Sequence, residues 1–237
     1  MSRWSPPPAT LVLTLLLVAG CAPTDVRSVG TTAGQPLPRP ERVVVHDFAV
    51  SLSDIKLNSG PGARLLRTLS RDPESAEQAK VGRDVARSFS EELVKEIVAL
   101  GLPAERAPRS PSLPDKTLGI DGQFVSIDEG NRARRMVVGF GAGGTEVTAH
   151  VQVYMGMPRG PVLVQEFETK AESSKKPGAA VTMGAGAAVG AGAAVGGAAS
   201  GAGETQAGVE ADARRTAKAL AKQLAELFTR QGWIVAK

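Results

Sequence analysis

Three glycines in the segment VVGFGAGGTEV (137–147), Gly139, Gly141 and Gly144, stand at the spacing G-x-G-x-x-G, that of a loop which wraps a dinucleotide pyrophosphate. That chemistry requires a helix directly after the loop, with its N-terminal amides aimed at the phosphates. The residues that follow have period two instead. Val147, Ala149, Val151, Val153 and Met155 fall on one face, and Glu146, Thr148, His150, Gln152 and Tyr154 on the other. A kinase-type loop would also place Val two residues after its last glycine, where Glu146 stands. The spacing therefore predicts a strand connection, in which Gly139, Gly141, Gly143 and Gly144 supply positive φ and close backbone approach.

Acid–base and metal chemistry find little to work with. The chain has two histidines, His46 and His150, on separate predicted strands, and no HExxH, paired-cysteine or calcium-loop spacing. His46 and Asp47 are neighbours in a strand and so point to opposite faces. Asp121, Asp128 and Glu129 cluster without a His or Ser at a motif spacing, and there is no G-x-S-x-G elbow. The expectation is a protein without cofactor or metal that binds rather than catalyses.

Cys21 is the one cysteine, and its chemistry is set by what precedes it. MSRWSPPPATLVLTLLLVAGC places Arg3 ahead of an uncharged run, 11–20, too short to span a bilayer, which reads as a secretory signal over residues 1–20. Val18-Ala19-Gly20-Cys21 looks like a bacterial lipobox, in which small residues admit a peptidase that cuts before a cysteine carrying diacylglycerol. The expected anchor is therefore acylated Cys21, held by several acyl chains in a lipid membrane. Ala22, rather than Asp, follows the cysteine; by resemblance to Gram-negative sorting rules this predicts the outer membrane, with the body in the periplasm. Acylation of Cys21 leaves no thiol for a disulfide or zinc–thiolate site. The balance of 28 Lys and Arg against 24 Asp and Glu gives little electrostatic reason to expect nucleic acid.

The elements that would position these residues follow from periodicity. Residues 22–41, rich in Pro, Gly, Ser and Thr, read as a flexible tether and the folded domain as 42–237. RVVVHDFAV (42–50) is a β-branched run expected of a strand buried on both faces. The stretch 51–74, broken by Ser59-Gly60-Pro61-Gly62, reads as a surface loop. Val81, Val85, Phe89, Leu93, Ile97 and Leu100 then recur at helical steps, with Gly101 as C-cap and Pro103 preventing continuation. A turn-rich linker leads to a strand at 118–128, with Ile120 and Phe124 on one face and Val125 and Ile127 on the other. A strand from Met136 to Gly139, the strand at 145–155 and another at 162–172 complete a meander. A last helix, 209–231, carries Ala213, Ala217, Leu220, Leu224 and Leu227 and ends at Gly232. The order β-α-β-β-β-α predicts an α+β domain with two long amphipathic helices on a mostly antiparallel sheet. Trp233 is expected to pack back on the domain, with an exposed anchor for a partner as the alternative.

Residues 177–203 carry no charge and repeat GAGAAV at 184–189 and 190–195. A low-complexity loop and a glycine-zipper helix that pairs in lipid or with another copy are both open, with a silk-like stack as a third reading. The group Arg132, Arg134 and Arg135 reads as a solvated strand edge or a partner surface.

FVSIDEGNRARRMVVGFGAGGTEVTAHVQVY (124–154) resembles the bacterial lipoprotein family called domain of unknown function 4410. The likeness lies in the acidic-Gly turn at 128–130, the Arg-rich segment 132–135, the glycine loop 139–143 and the alternating strand 147–153. It implies the α+β fold and the envelope location and no particular activity. The leading expectation is an adaptor that presents the Arg132–Arg135 edge and the glycine turn to another envelope protein. The alternative is a self-assembling, homo-oligomeric or membrane-inserting component acting through 177–203.

Overall fold

A computed structural model of the chain describes residues 24–31, 36–70, 73–110, 112–131, 134, 143–173 and 201–235. Among them are eight strands in one mixed sheet and three helices, an α+β fold whose sheet is mostly antiparallel. The strands are β1 (Thr24–Thr31), β2 (Arg42–His46), β3 (Ala49–Val50), β4 (Ile55–Lys56), β5 (Ala104–Ala107), β6 (Thr117–Asp128), β7 (Glu146–Met155) and β8 (Val162–Glu172). The helices are α1 (Pro61–Ser70), α2 (Glu74–Ala99) and α3 (Gly201–Arg230).

Across the sheet the order is β1-β8-β7-β6-β2-β5, with β3 and β4 also paired to β6. The pairings from β1 to β6 are antiparallel, and those of β6 with β2, β3 and β4 and of β2 with β5 are parallel. The clearest period in the sequence lies at the centre of the core: Val147, Ala149, Val151, Val153 and Met155 of β7 are all buried. They belong to one apolar cluster with Val85, Phe89 and Leu93 of α2 and with Ala213, Leu220 and Leu224 of α3. β2, paired on both edges, is buried on both faces from Val43 to His46. Gly101 at φ +92° and Gly232 at φ +72° end α2 and α3 in the left-handed conformation that glycine adopts without cost.

The structure corrects four readings. Thr24–Thr31, inside the expected tether, is a strand that pairs antiparallel with β8. Its polar, glycine-containing sequence shows no apolar period because an edge strand is held chiefly by its backbone ladder. The expected surface loop 51–74 contains a 3₁₀ turn, β4 and α1, with Pro61 in the first helical position, where its fixed φ is suited. The linker after α2 contains β5. Val125 sits at an irregularity of the β6–β7 register between Phe124 and Ser126, so Ile127 returns to the face of Phe124 instead of opposing it. The expected strand at 136–139 and residues 177–200 of the glycine–alanine segment lie outside the described residues; 201–203 open α3.

One row of paired residues crosses the sheet: Thr24, Ala171, Val147, Ile127 and Ile55. It marks the end of the sheet from which the chain continues into α1, the β6–β7 connection and the β8–α3 connection. At the opposite end lie Lys116, the 156–160 turn and Trp233.

Candidate functional site

The acidic-Gly turn and the last two residues of the glycine loop close on each other at this end of the sheet. Gly130 N–H donates to Asp128 Oδ1 (2.7 Å), and Asn131 N–H donates to the Gly143 carbonyl (3.0 Å). Gly130 and Gly143 have φ of +69° and +76°, and a Cβ on Gly130 would collide with the carbonyl oxygens of Gly143 and Gly144. The glycines thus serve close backbone approach, and the loop feeds β7 rather than a helix, which removes the geometry a phosphate cradle needs. Asn131 organises the rest: its Nδ2 donates to Ser59 Oγ (3.2 Å) and its Oδ1 accepts from Arg134 N–H (3.0 Å). The result is a polar cleft of about 390 Å³ lined by Ser59, Asp128, Asn131, Arg134, Glu146 and Glu172. Arg134 is exposed. Lys170 bridges Glu146 (3.1 Å) and Glu172 (2.8 Å), and those two hydrogen bonds raise its pKa.

Two buried polar clusters brace the cleft. Glu129, next to the turn, is only 3% exposed; its Oε2 accepts from Asn58 N–H (2.9 Å). Burial pushes its carboxyl above the ordinary range, against the pull of that amide. Arg67 of α1 donates to the Asn58 carbonyl (2.8 Å) beside it. On the other flank Thr145 and Ser173 exchange backbone and side-chain hydrogen bonds, and Thr145 Oγ1 donates to the fully buried Asp212 of α3. The Arg215 guanidinium abuts the other Asp212 oxygen, and its burial lowers its pKa. This clamp joins Thr145, directly after the glycine loop, to Ser173, four residues before the glycine–alanine segment.

A His–Asp pair that motif spacing does not reveal lies elsewhere. His46 Nδ1 is 3.1 Å from Asp121 Oδ1, because the β2–β6 register that pairs Val45 with Ile120 brings the next residues together. Arg109 Nε donates to the same oxygen (3.3 Å). His46 is buried, and the trio brings two strands and a linker together. Asp47 turns the other way, to Arg106. His150 stands exposed on the face of the sheet opposite the buried side chains of β7, 3.9 Å from Glu168, beside a cleft of about 250 Å³ that also includes Gln123, Gln152 and Glu166. Among the described residues, no three His, Cys, Asp or Glu side chains group as a metal site would.

Of the other residues singled out from sequence, Trp233 is 3% exposed, packs on Phe228 with ring centroids 5.6 Å apart and donates from its indole N–H to the Leu37 carbonyl (3.1 Å). It closes the core and presents no exposed anchor, because its polar atom is already satisfied within the domain. Cys21, Arg132, Arg135, Gly139 and Gly141 lie outside the described residues.

The family model described as Domain of unknown function (DUF4410) matches residues 43–190. No curated protein matches the chain. Among solved structures, the chain is similar to the PelC dodecamer from Paraburkholderia phytofirmans in two crystal forms. In the first, of a point variant, identity is 15%, the TM-score 0.33, and the match covers 68% of this chain and 89% of that one. In the second the values are 15%, 0.34, 65% and 85%.

Proposed function

We propose a function for this chain from one premise: it belongs to the DUF4410 family. In this reading it is a lipid-anchored adaptor of the cell envelope, held by Cys21 in the outer membrane with its body in the periplasm, and it binds another envelope protein without catalysing a reaction. The observation that carries the reading is the cleft built by the signature turn. Three carboxylates and the exposed Arg134 converge there on a rigid glycine frame, a set of groups suited to recognition of a charged protein surface. The lipobox-like sequence before Cys21 supports the anchor.

The test places a photo-crosslinking residue at Ser59, in the cleft, and at Arg159, at the opposite end of the sheet, in cells. A discrete adduct from Ser59 that disappears on Arg134→Glu is expected; no adduct above the Arg159 background would sink the reading. In the same cells Cys21→Ser should release the protein from the outer-membrane fraction, and unchanged fractionation would overturn the anchor.

A second reading, assembly or membrane insertion through 177–203, is favoured by where that segment begins and ends. Ser173, four residues before it, and Gly208, five residues after it and beside Thr145, stand at the sheet end that also holds Thr24, three residues after Cys21.

A further inference from the structure

We propose that α1 is an interfacial helix whose leucine face lies in the phospholipid surface at which the chain is anchored. The inference rests on acylation of Cys21 and adds to it a second, described segment in contact with the bilayer.

Two observations meet. The first is an amphipathic helix turned inside out. Leu65, Leu66 and Leu69 share one side of α1, within an arc of about 100° at 100° per residue. They are 61%, 39% and 69% exposed, and no residue of the helix is buried. The side turned towards the domain carries Ala63 and Arg67, with Arg67 fastened to the Asn58 carbonyl. Leu66 stands at the margin, where it lines a cleft against α2 with Ala63 and Arg67, and Leu65 and Leu69 are the leucines that the helix turns outward.

The second observation is position. Thr24 and Ile55 belong to the same row across the sheet, through Ala171, Val147 and Ile127. From Ile55 the chain runs directly to α1 at Pro61. From Thr24 it runs back three residues to Cys21, a reach of about 10 Å for extended chain. Chain length alone thus keeps an anchor at Cys21 within reach of the sheet end from which α1 leaves. Charge agrees: α1 contains no acid, and Arg64 is exposed on it, as suits a helix on anionic phospholipid. The occupant of the leucine face is accordingly the bilayer, not a second copy of the chain.

The acylated full-length chain carrying Leu69→Cys or Arg159→Cys tests this, since acylation blocks the thiol of Cys21 and leaves one site for an environment-sensitive fluorophore. The labelled proteins are reconstituted into vesicles of phosphatidylethanolamine and phosphatidylglycerol with and without brominated acyl chains. Quenching of about twofold at position 69 and none at 159 is expected for a helix seated at the headgroup–acyl boundary. Equal quenching at the two positions overturns the inference. So does a blue-shifted but unquenched label at 69, which would mean that protein covers the leucines. Mass spectrometry of the same samples separates the premise: a mature N-terminus without acyl chains overturns the anchor and this inference together, whereas acylated protein with an unquenched label at 69 overturns the inference alone.

Discussion

Two helices follow one another with three residues between them, and both carry an apolar stripe, yet α2 buries its stripe while α1 exposes it. In α2 the stripe repeats over several turns, from Val81 to Ile97, and lies across β2, β3 and β4 and along α3. In α1 it is a patch of three leucines on a helix whose underside is occupied by polar ties: Arg67 to Asn58, and Asn58 to Glu129. An apolar period thus states which residues share a side. Whether that side meets the core depends on what the opposite side is bound to. Over α2, burial of large side chains decides the orientation; at α1, the Arg67 tie to the Asn58 carbonyl fixes which side meets the domain, and the leucines stay in contact with solvent or lipid.

The contrast can be broken most severely in α2. Phe89 is fully buried against Phe48 and Phe124, with ring centroids 4.6 and 5.6 Å away, so Phe89→Ala should cost about 3–5 kcal/mol in denaturant unfolding, the usual range for a large aromatic truncated in a core. A loss below about 1 kcal/mol would mean that the α2 stripe does not carry the core.

Next is the polar underside of α1. Glu129 has its folded pKa raised by burial, so across the interval between its unfolded and folded pKa the native state keeps a proton that the unfolded state has lost. Its contribution to stability therefore declines as pH rises through that interval. Glu129→Gln keeps an oxygen for the Asn58 amide and removes the titration, so thermal unfolding measured across this range should depend less on pH than in the parent. An unchanged profile would show that the carboxyl does not titrate differently on folding.

The smallest effect on stability belongs to the exposed leucines. Leu69→Ala should change unfolding by no more than about 0.5 kcal/mol in detergent-free buffer, as befits a solvent-facing side chain. A loss comparable with that of Phe89→Ala would place Leu69 in a core contact and remove the contrast between the helices.

Some of this was readable residue by residue. The alternation of β7 and the helical steps of α2 and α3 name core residues correctly, because in a long element each side chain's direction follows from its place in the repeat. The glycine turn was readable for the same reason: period two after Gly144 excludes the helix that a phosphate loop needs. Arg134 and Gly143 were legible as parts of a surface turn, but Ser59, Glu146 and Glu172 were not legible as its partners. They come from three other segments, brought together only by the β4–β6 and β7–β8 registers. The pair His46 and Asp121 was hidden likewise, since residues far apart in sequence become neighbours only through the parallel β2–β6 pairing. β1 and β5 escaped because short edge strands are held by backbone hydrogen bonds, which leave no pattern in side-chain type.

By itself the sequence determined the α+β class, the buried faces of β7, α2 and α3, and the membership of the DUF4410 family. All of these are encoded in local period or in residue types that a single backbone geometry demands. Only the tertiary structure decided that Val125 turns Ile127 back to the core, that Trp233 is closed in, and that the leucines of α1 face outward at the end of the sheet where the N-terminal segment begins. Those outcomes depend on long-range register and on competition among distant groups for the same space. A repeat along the chain carries no information about either.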